Sequence, residues 1–96
     1  MVLVHIDFEG GLQTDFNAPN GIDLEVEEGT RIEQLPKILV DKYIEDPSKI
    51  RFTDSNGNVL PGVLIMVNDI DAAIEGVDSV LSEKDTITFI STLHGG

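Results

Sequence analysis

Apolar residues recur at every second position from Val2 to Val26, every third or fourth from Ile32 to Tyr43, and every second again near the end of the chain. Alternation puts side chains on opposite faces of a strand, whereas a spacing of three or four lines one face of a helix. Strands, one main helix, then further strands is an α+β order, in which a sheet buries one face against the helix. Few folds accommodate that change of period within a chain of 96 residues.

In the first strand Val2, Val4, Ile6 and Phe8 form the inward set and Leu3, His5 and Asp7 the outward one. His5 there reads as a plain surface residue. Glu9-Gly10-Gly11 is a turn signal. Leu12, Thr14 and Phe16 alternate again until Asn17-Ala18-Pro19-Asn20-Gly21 interrupts, and Ile22, Leu24 and Val26 resume the inward face, with Asp23, Glu25 and Glu27 outward. The expectation is an opening hairpin whose return arm is split by a loop.

Ile32, Leu35, Ile38, Leu39 and Tyr43 make the apolar face of the helix, and Thr30 with Glu33 fits a capping box at its start. Pro36 well inside a helix would cost about 3 kcal/mol. Either the helix kinks there, or its regular part begins near Leu35 with Pro36 in the first turn. Both versions end near Ile44.

Ile50-Arg51-Phe52-Thr53 reads as a short strand. Asp54-Ser55-Asn56-Gly57-Asn58 imitates the start of a calcium loop, but Val59 and Ile65 stand where that motif needs a glycine and a glutamate, so a turn built on Asn-Gly is expected. Val63-Leu64-Ile65-Met66-Val67-Asn68 is apolar on both faces, as in a strand buried twice or one whose outer face meets a partner. Asn68 to Asp71 reads as a turn; Asp69 and Asp71 lack further ligands at a metal-site spacing, and no metal is expected. A short strand at Ala72-Ala73-Ile74, an irregular stretch through Leu81 and a turn at Ser82-Glu83-Lys84-Asp85 precede the last strand. In that strand, Thr86 to Ser91, alternation points Ile87 and Phe89 inward and Thr88 and Ile90 outward.

Charge and composition remove several function classes. With 18 acidic residues against 6 basic, the net charge is −12, and such a surface repels nucleic-acid phosphates and anionic lipid. There is no cysteine, which excludes disulfides, thiolate metal sites and a cysteine nucleophile. No basic segment followed by a long apolar run opens the sequence, and no stretch approaches the roughly 18 apolar residues of a membrane span, so a soluble intracellular monomer is expected.

The chain closes on Ser91-Thr92-Leu93-His94-Gly95-Gly96, a strand end followed by two residues without side chains. Such an end is thin enough for an enzyme's channel to close around it and reach the terminal carboxyl carbon. No nucleophile–base pair or metal cage is visible elsewhere, so the chemistry of activation falls to a partner.

Phe89-Ile90-Ser91-Thr92-Leu93-His94-Gly95-Gly96 resembles the C-terminus of the eukaryotic ubiquitin-related modifiers that double as sulfur carriers, and Pro61-Gly62-Val63-Leu64 and Val67-Asn68-Asp69 resemble their middle strand and following turn. The resemblance covers the chain in element order and is specific in sequence from Pro61 onward. Pro36 departs from the pattern, which touches helix geometry and leaves the tail unaffected. The resemblance implies a ubiquitin-like β-grasp, a mixed sheet packed against one main helix, in residues 1–91 with a flexible tail over 92–96. It implies that Gly96 is adenylated by an E1-like enzyme that uses ATP, with no cofactor bound to the chain itself. A persulfide on that enzyme's rhodanese-like domain then gives a thiocarboxylate, and a tRNA thiolase complex delivers the sulfur to the wobble uridine of certain tRNAs. The same terminus is joined to lysines of target proteins, in the cytoplasm and also the nucleus.

By the same resemblance, Thr92, Leu93, His94 and Gly95 are read by the activating enzyme. Ubiquitin and many relatives carry basic residues in this stretch, and their absence argues for a different activating enzyme. Ile90, Leu64 and Met66 are the candidate partner surface, and Lys37, Lys42, Lys49 and Lys84 are candidate self-acceptors. The readings that compete are a prokaryotic-type sulfur carrier for molybdopterin or thiamine synthesis and a non-covalent docking module.

Overall fold

The computed structural model describes residues 1–46, 52–54, 56–72 and 76–92. In chain order these hold strand β1 (Val2–Glu9), a short helix α1 (Leu12–Asp15), strand β2 (Ile22–Val26), a 3-10 turn (Ile32–Gln34), helix α2 (Leu35–Tyr43), and strands β3 (Val63–Val67), β4 (Ile70–Asp71) and β5 (Thr86–Ser91). Among the described residues the strands form one mixed sheet in the order β2-β1-β5-β3-β4. β1 and β5 run parallel at its centre, with Ile6 opposite Ile87 and Phe8 opposite Phe89. A parallel pair cannot be closed by a tight turn, so the intervening chain has to cross over, and α2 lies on that crossover. It buries Leu35, Leu39 and Val40 in the same core as Val4, Ile6, Ile87 and Phe89, and Pro36 is buried with them in its first turn.

All four phenylalanines meet in this core. Phe8 stacks on Phe16 at 4.3 Å between ring centres, while Phe52 stands edge-on to Phe89 at 5.0 Å and to Phe16 at 5.3 Å. Such pairs contribute roughly 0.5–1.5 kcal/mol beyond the area they bury.

Phe16 explains the first departure from the sequence pattern. Leu12 and Phe16 sit on a helical turn, where the Phe16 N–H donates to the Leu12 carbonyl at 3.0 Å, and not on a strand. Positions four apart share a face under either period. The choice falls to Gly10 and Gly11, whose φ values of 73° and 102° turn the chain back, and to the Phe8–Phe16 stack that results. The opening is therefore strand, helical turn, strand.

Pro36 occupies the first turn of α2, directly after the 3-10 turn, where its missing N–H would have had no helical partner anyway. The helix begins at Leu35 without a kink inside it. The expected Thr30–Glu33 box is replaced by its neighbour. Gln34 Oε1 accepts the Arg31 N–H at 2.8 Å, while the Thr30 hydroxyl donates to the Glu27 carbonyl and Glu33 pairs with Arg31. Tyr43 is exposed beneath Lys42, while Val40, outside the expected apolar face, is buried in the core.

Asp54 Oδ1 accepts from the Asn56 and Asn58 N–H groups at 2.9 and 3.0 Å, a turn fixed by its own side chain, as expected in place of a calcium loop. Thr53 bridges Val59 across it; Ile50 and Arg51 of the expected strand lie outside the described residues. The turn expected over Asn68 to Asp71 is shorter: Asn68 and Asp69 both adopt positive φ and close a two-residue hairpin, so that Ile70–Asp71 is already a strand; Ala73 and Ile74 of the short strand expected next lie outside the described residues. Thr88, expected outward, is only 7% exposed, since β5 is central and neighbours on both sides cover it.

Replacing Phe89 with alanine is expected to cost about 3–5 kcal/mol in urea unfolding. Leu64→Ala, on the outer face, should cost less than about 1 kcal/mol. Equal losses would contradict the assignment of the two sheet faces.

Candidate functional site

β5 carries the chain to its end through the middle of the sheet, paired to β1 on one side and to β3 on the other. The pairing continues one residue past the strand: the Thr92 N–H donates to the Gly62 carbonyl at 2.9 Å, and the Thr92 hydroxyl donates to the same oxygen at 2.6 Å. Leu93, His94, Gly95 and Gly96 lie outside the described residues.

Gly10 packs against the base of this exit. A methyl group at Gly10 would collide with the Ser91 carbonyl oxygen, so any side chain there would push the departing strand aside. The sequence pattern marks Gly10 only as part of a turn and gives Gly62 no role of its own. Their further role, a bare backbone collar around Ser91 and Thr92, depends on β1 and β3 both ending beside β5. The only signal was a glycine at the close of one strand and another at the opening of the next.

Of the candidate partner surface, Leu64 is 46% exposed, and Ile90 and Met66 are half-buried. Leu64 lies directly opposite Ile90, and Met66 lies opposite Thr88 in the next rung but one. The sheet thus gathers all three on its outer face, with Ile90 two residues before Thr92. Glu9, paired with Ile90 across β1 and β5, and Asp71, paired with Met66, border the patch with negative charge. Of the candidate acceptor lysines, Lys37, Lys42 and Lys84 are exposed, and Lys37 pairs with Asp41 at 3.0 Å; Lys49 lies outside the described residues.

His5 is on the outer face as expected, but it is not a plain solvated residue. Its Nδ1 lies 2.7 Å from Asp23 Oδ1, and its Nε2 lies 2.9 Å from Asp7 Oδ1. Gly21 closes over the trio, where a methyl group would collide with His5 Nε2 and Asp7 Oδ1. A neutral imidazole has one N–H to give, so both carboxylates are satisfied only by the protonated ring. The bond to Asp23, supported by Asp7 and opposed by partial burial, raises the His5 pKa above its ordinary 6.5. Among the described residues no group of three His, Cys, Asp or Glu side chains is arranged to hold a metal ion.

The family model described as Urm1 (Ubiquitin related modifier) matches residues 3–96. The chain belongs to that family. Ubiquitin-related modifier 1 of Yarrowia lipolytica is 35% identical over 97 residues, spanning 97% of this chain and 98% of that one. The Saccharomyces cerevisiae protein of the same name is 32% identical over 99 residues, covering both chains entirely. The solution structure of Urm1 from Trypanosoma brucei superposes with a TM-score of 0.77 at 34% identity, over 98% of this chain and 95% of that one. Small archaeal modifier protein 1 of Haloferax volcanii, at 11% identity and a TM-score of 0.78 over 95% and 98% of the two chains, shares the fold. The architecture is the ubiquitin-like β-grasp that the family resemblance implied.

A raised folded-state pKa at His5 contributes stability that is complete below pH 6.5 and lost as pH rises through the raised value. The thermal midpoint should therefore fall across that window more steeply for the native chain than for His5→Gln. Parallel curves for the two would show that the His5 contacts do not hold in solution.

Proposed function

We propose that this chain is a sulfur carrier and protein modifier whose reactive group is the carboxylate of Gly96, and that it is a substrate of other catalysts and not itself an enzyme. The observation that carries this reading is the manner in which the body presents its end. The strand that leads to the diglycine is held on both edges, and the collar of Gly10 and Gly62 fixes its last described residues. Family membership over nearly the whole chain supports it further.

A carboxylate is a poor electrophile. Adenylation by an E1-like partner consumes ATP, releases pyrophosphate and gives the carboxyl carbon a good leaving group, AMP. The outer sulfur of a persulfide on the partner displaces AMP to form an acyl disulfide, and a second thiol of the partner breaks its S–S bond, becoming a disulfide and leaving a thiocarboxylate on Gly96. A thiolase complex consumes that thiocarboxylate at the wobble uridine of tRNA; attack by a lysine amine on the activated carbon, expelling its AMP or sulfur leaving group, gives an isopeptide bond instead. Gly95 lets the partner's backbone close on the tail, and Thr92, Leu93 and His94 are what it reads. The apolar patch of Ile90, Leu64 and Met66, beside the exit, is where the partner grips the body. We place these steps in the cytoplasm and also in the nucleus.

Intact mass measurement after incubation with ATP, a sulfur donor and the activating enzyme should show one oxygen replaced by sulfur, located on the last peptide. Removing Gly95 and Gly96 should abolish both that change and lysine conjugation; retention of either activity would favour a docking module instead. Ile90→Asp or Leu64→Asp should weaken binding to the activating enzyme by about tenfold or more without unfolding the chain. Unchanged affinity would remove the patch from the contact.

A further inference from the structure

β2 is the outermost strand on its side of the sheet, and its free edge is set by the pattern on the other side. The Lys84 N–H donates to the Leu3 carbonyl and the His5 N–H to the Asp85 carbonyl, so the odd-numbered residues of β1 turn their backbone toward β5. The even-numbered Val2, Val4 and Ile6 therefore bond to their partners Val26, Leu24 and Ile22. That leaves the N–H and C=O of Asp23 and Glu25 directed away from the sheet, as a ready template for one more strand.

A cleft of about 310 Å³ runs beside this edge, between β2 and α2. Val26, Ile38 and Met1 supply its apolar lining, with Gln34, and with Glu25 and Glu27 at its rim. Among the described residues neither Glu25 nor Glu27 enters an ion pair, and Asp23 is engaged only with His5. A second copy of this chain is a poor occupant: β2 against β2 would set acidic residues opposite acidic residues, on a body of net charge −12.

We propose that this edge and cleft bind an extended, basic segment of another protein by strand addition. In an added strand, alternate side chains fall on opposite faces. One set meets Asp23 and Glu25 on the outer face and is lysine or arginine. The other set turns toward α2 and is apolar, entering the cleft over Val26 and Ile38. The site lies across the sheet from the Ile90 patch and the tail exit, so a protein held there leaves Gly96 free to react. It is independent of the tail chemistry.

The test is an amide-resolved NMR titration of the full chain with a short synthetic peptide alternating lysine and valine. Shift changes should be confined to residues 22–27 and to α2 around Ile38, with slowed exchange of the Asp23 and Glu25 amides. Methylating the peptide's edge-facing backbone nitrogens, or the double change Glu25→Lys and Glu27→Lys, should each weaken binding about tenfold or more. Deleting Gly95 and Gly96 should change nothing. The variant's own spectrum outside β2 reports that it is folded. Absence of binding, equal binding of the methylated peptide, or shifts scattered over the acidic surface would each overturn the proposal.

Discussion

The parallel pairing of β1 with β5 is the contact from which the rest of the structure follows. The first and last strands of the chain meet at the centre of the sheet, Phe8 beside Phe89, so every other element has to be fitted on the route between them. A parallel neighbour can be reached only by a crossover, which places α2 on one face of the sheet. It also leaves the two remaining positions beside the central pair to β2 and β3. Closing such long sequence separations is entropically expensive, and the offsetting term is burial of aromatic and branched residues drawn from distant parts of the chain.

The same pairing decides how the terminus is offered. A strand at a sheet edge could fray from its last residue backward. A central strand is paired on both sides up to Ile90 and with β3 through Ser91, and the bonds from Thr92 to Gly62 extend that hold by one more residue. Fixing the strand that leads to the end lowers the ordering cost that a partner meets on binding there. The acidic body complements this arrangement: at net charge −12 it disfavours phosphate surfaces and favours basic protein faces.

The sheet and the helix were legible because their periods are unlike and their inward sets are long. Val4, Ile6 and Phe8, or Ile87 and Phe89, could hardly belong to anything else. Short segments were not. Leu12 and Phe16 satisfy a strand and a helical turn alike, and the outcome hangs on two glycine conformations and a ring stack absent from any local pattern. Tyr43 matched the helical period but is the last residue of the helix and stays exposed, while Val40 is buried in the core. Thr88 looked like a surface residue because polarity and alternation say nothing of whether a strand is central.

By itself the sequence determined the order and type of the main elements, the acidic character and the diglycine end, since these rest on residue identity and local spacing. It also carried the family match, which runs from residue 3 to residue 96. Tertiary structure alone decided which strands are neighbours. Through that it brought Leu64, Met66 and Ile90 onto one face, closed Gly10 and Gly62 around the tail base, and set His5 between two carboxylates. It also left the backbone of Asp23 and Glu25 open. Each of these joins positions far apart in the chain, and pairing between distant segments is fixed by the whole core, not by any window of sequence.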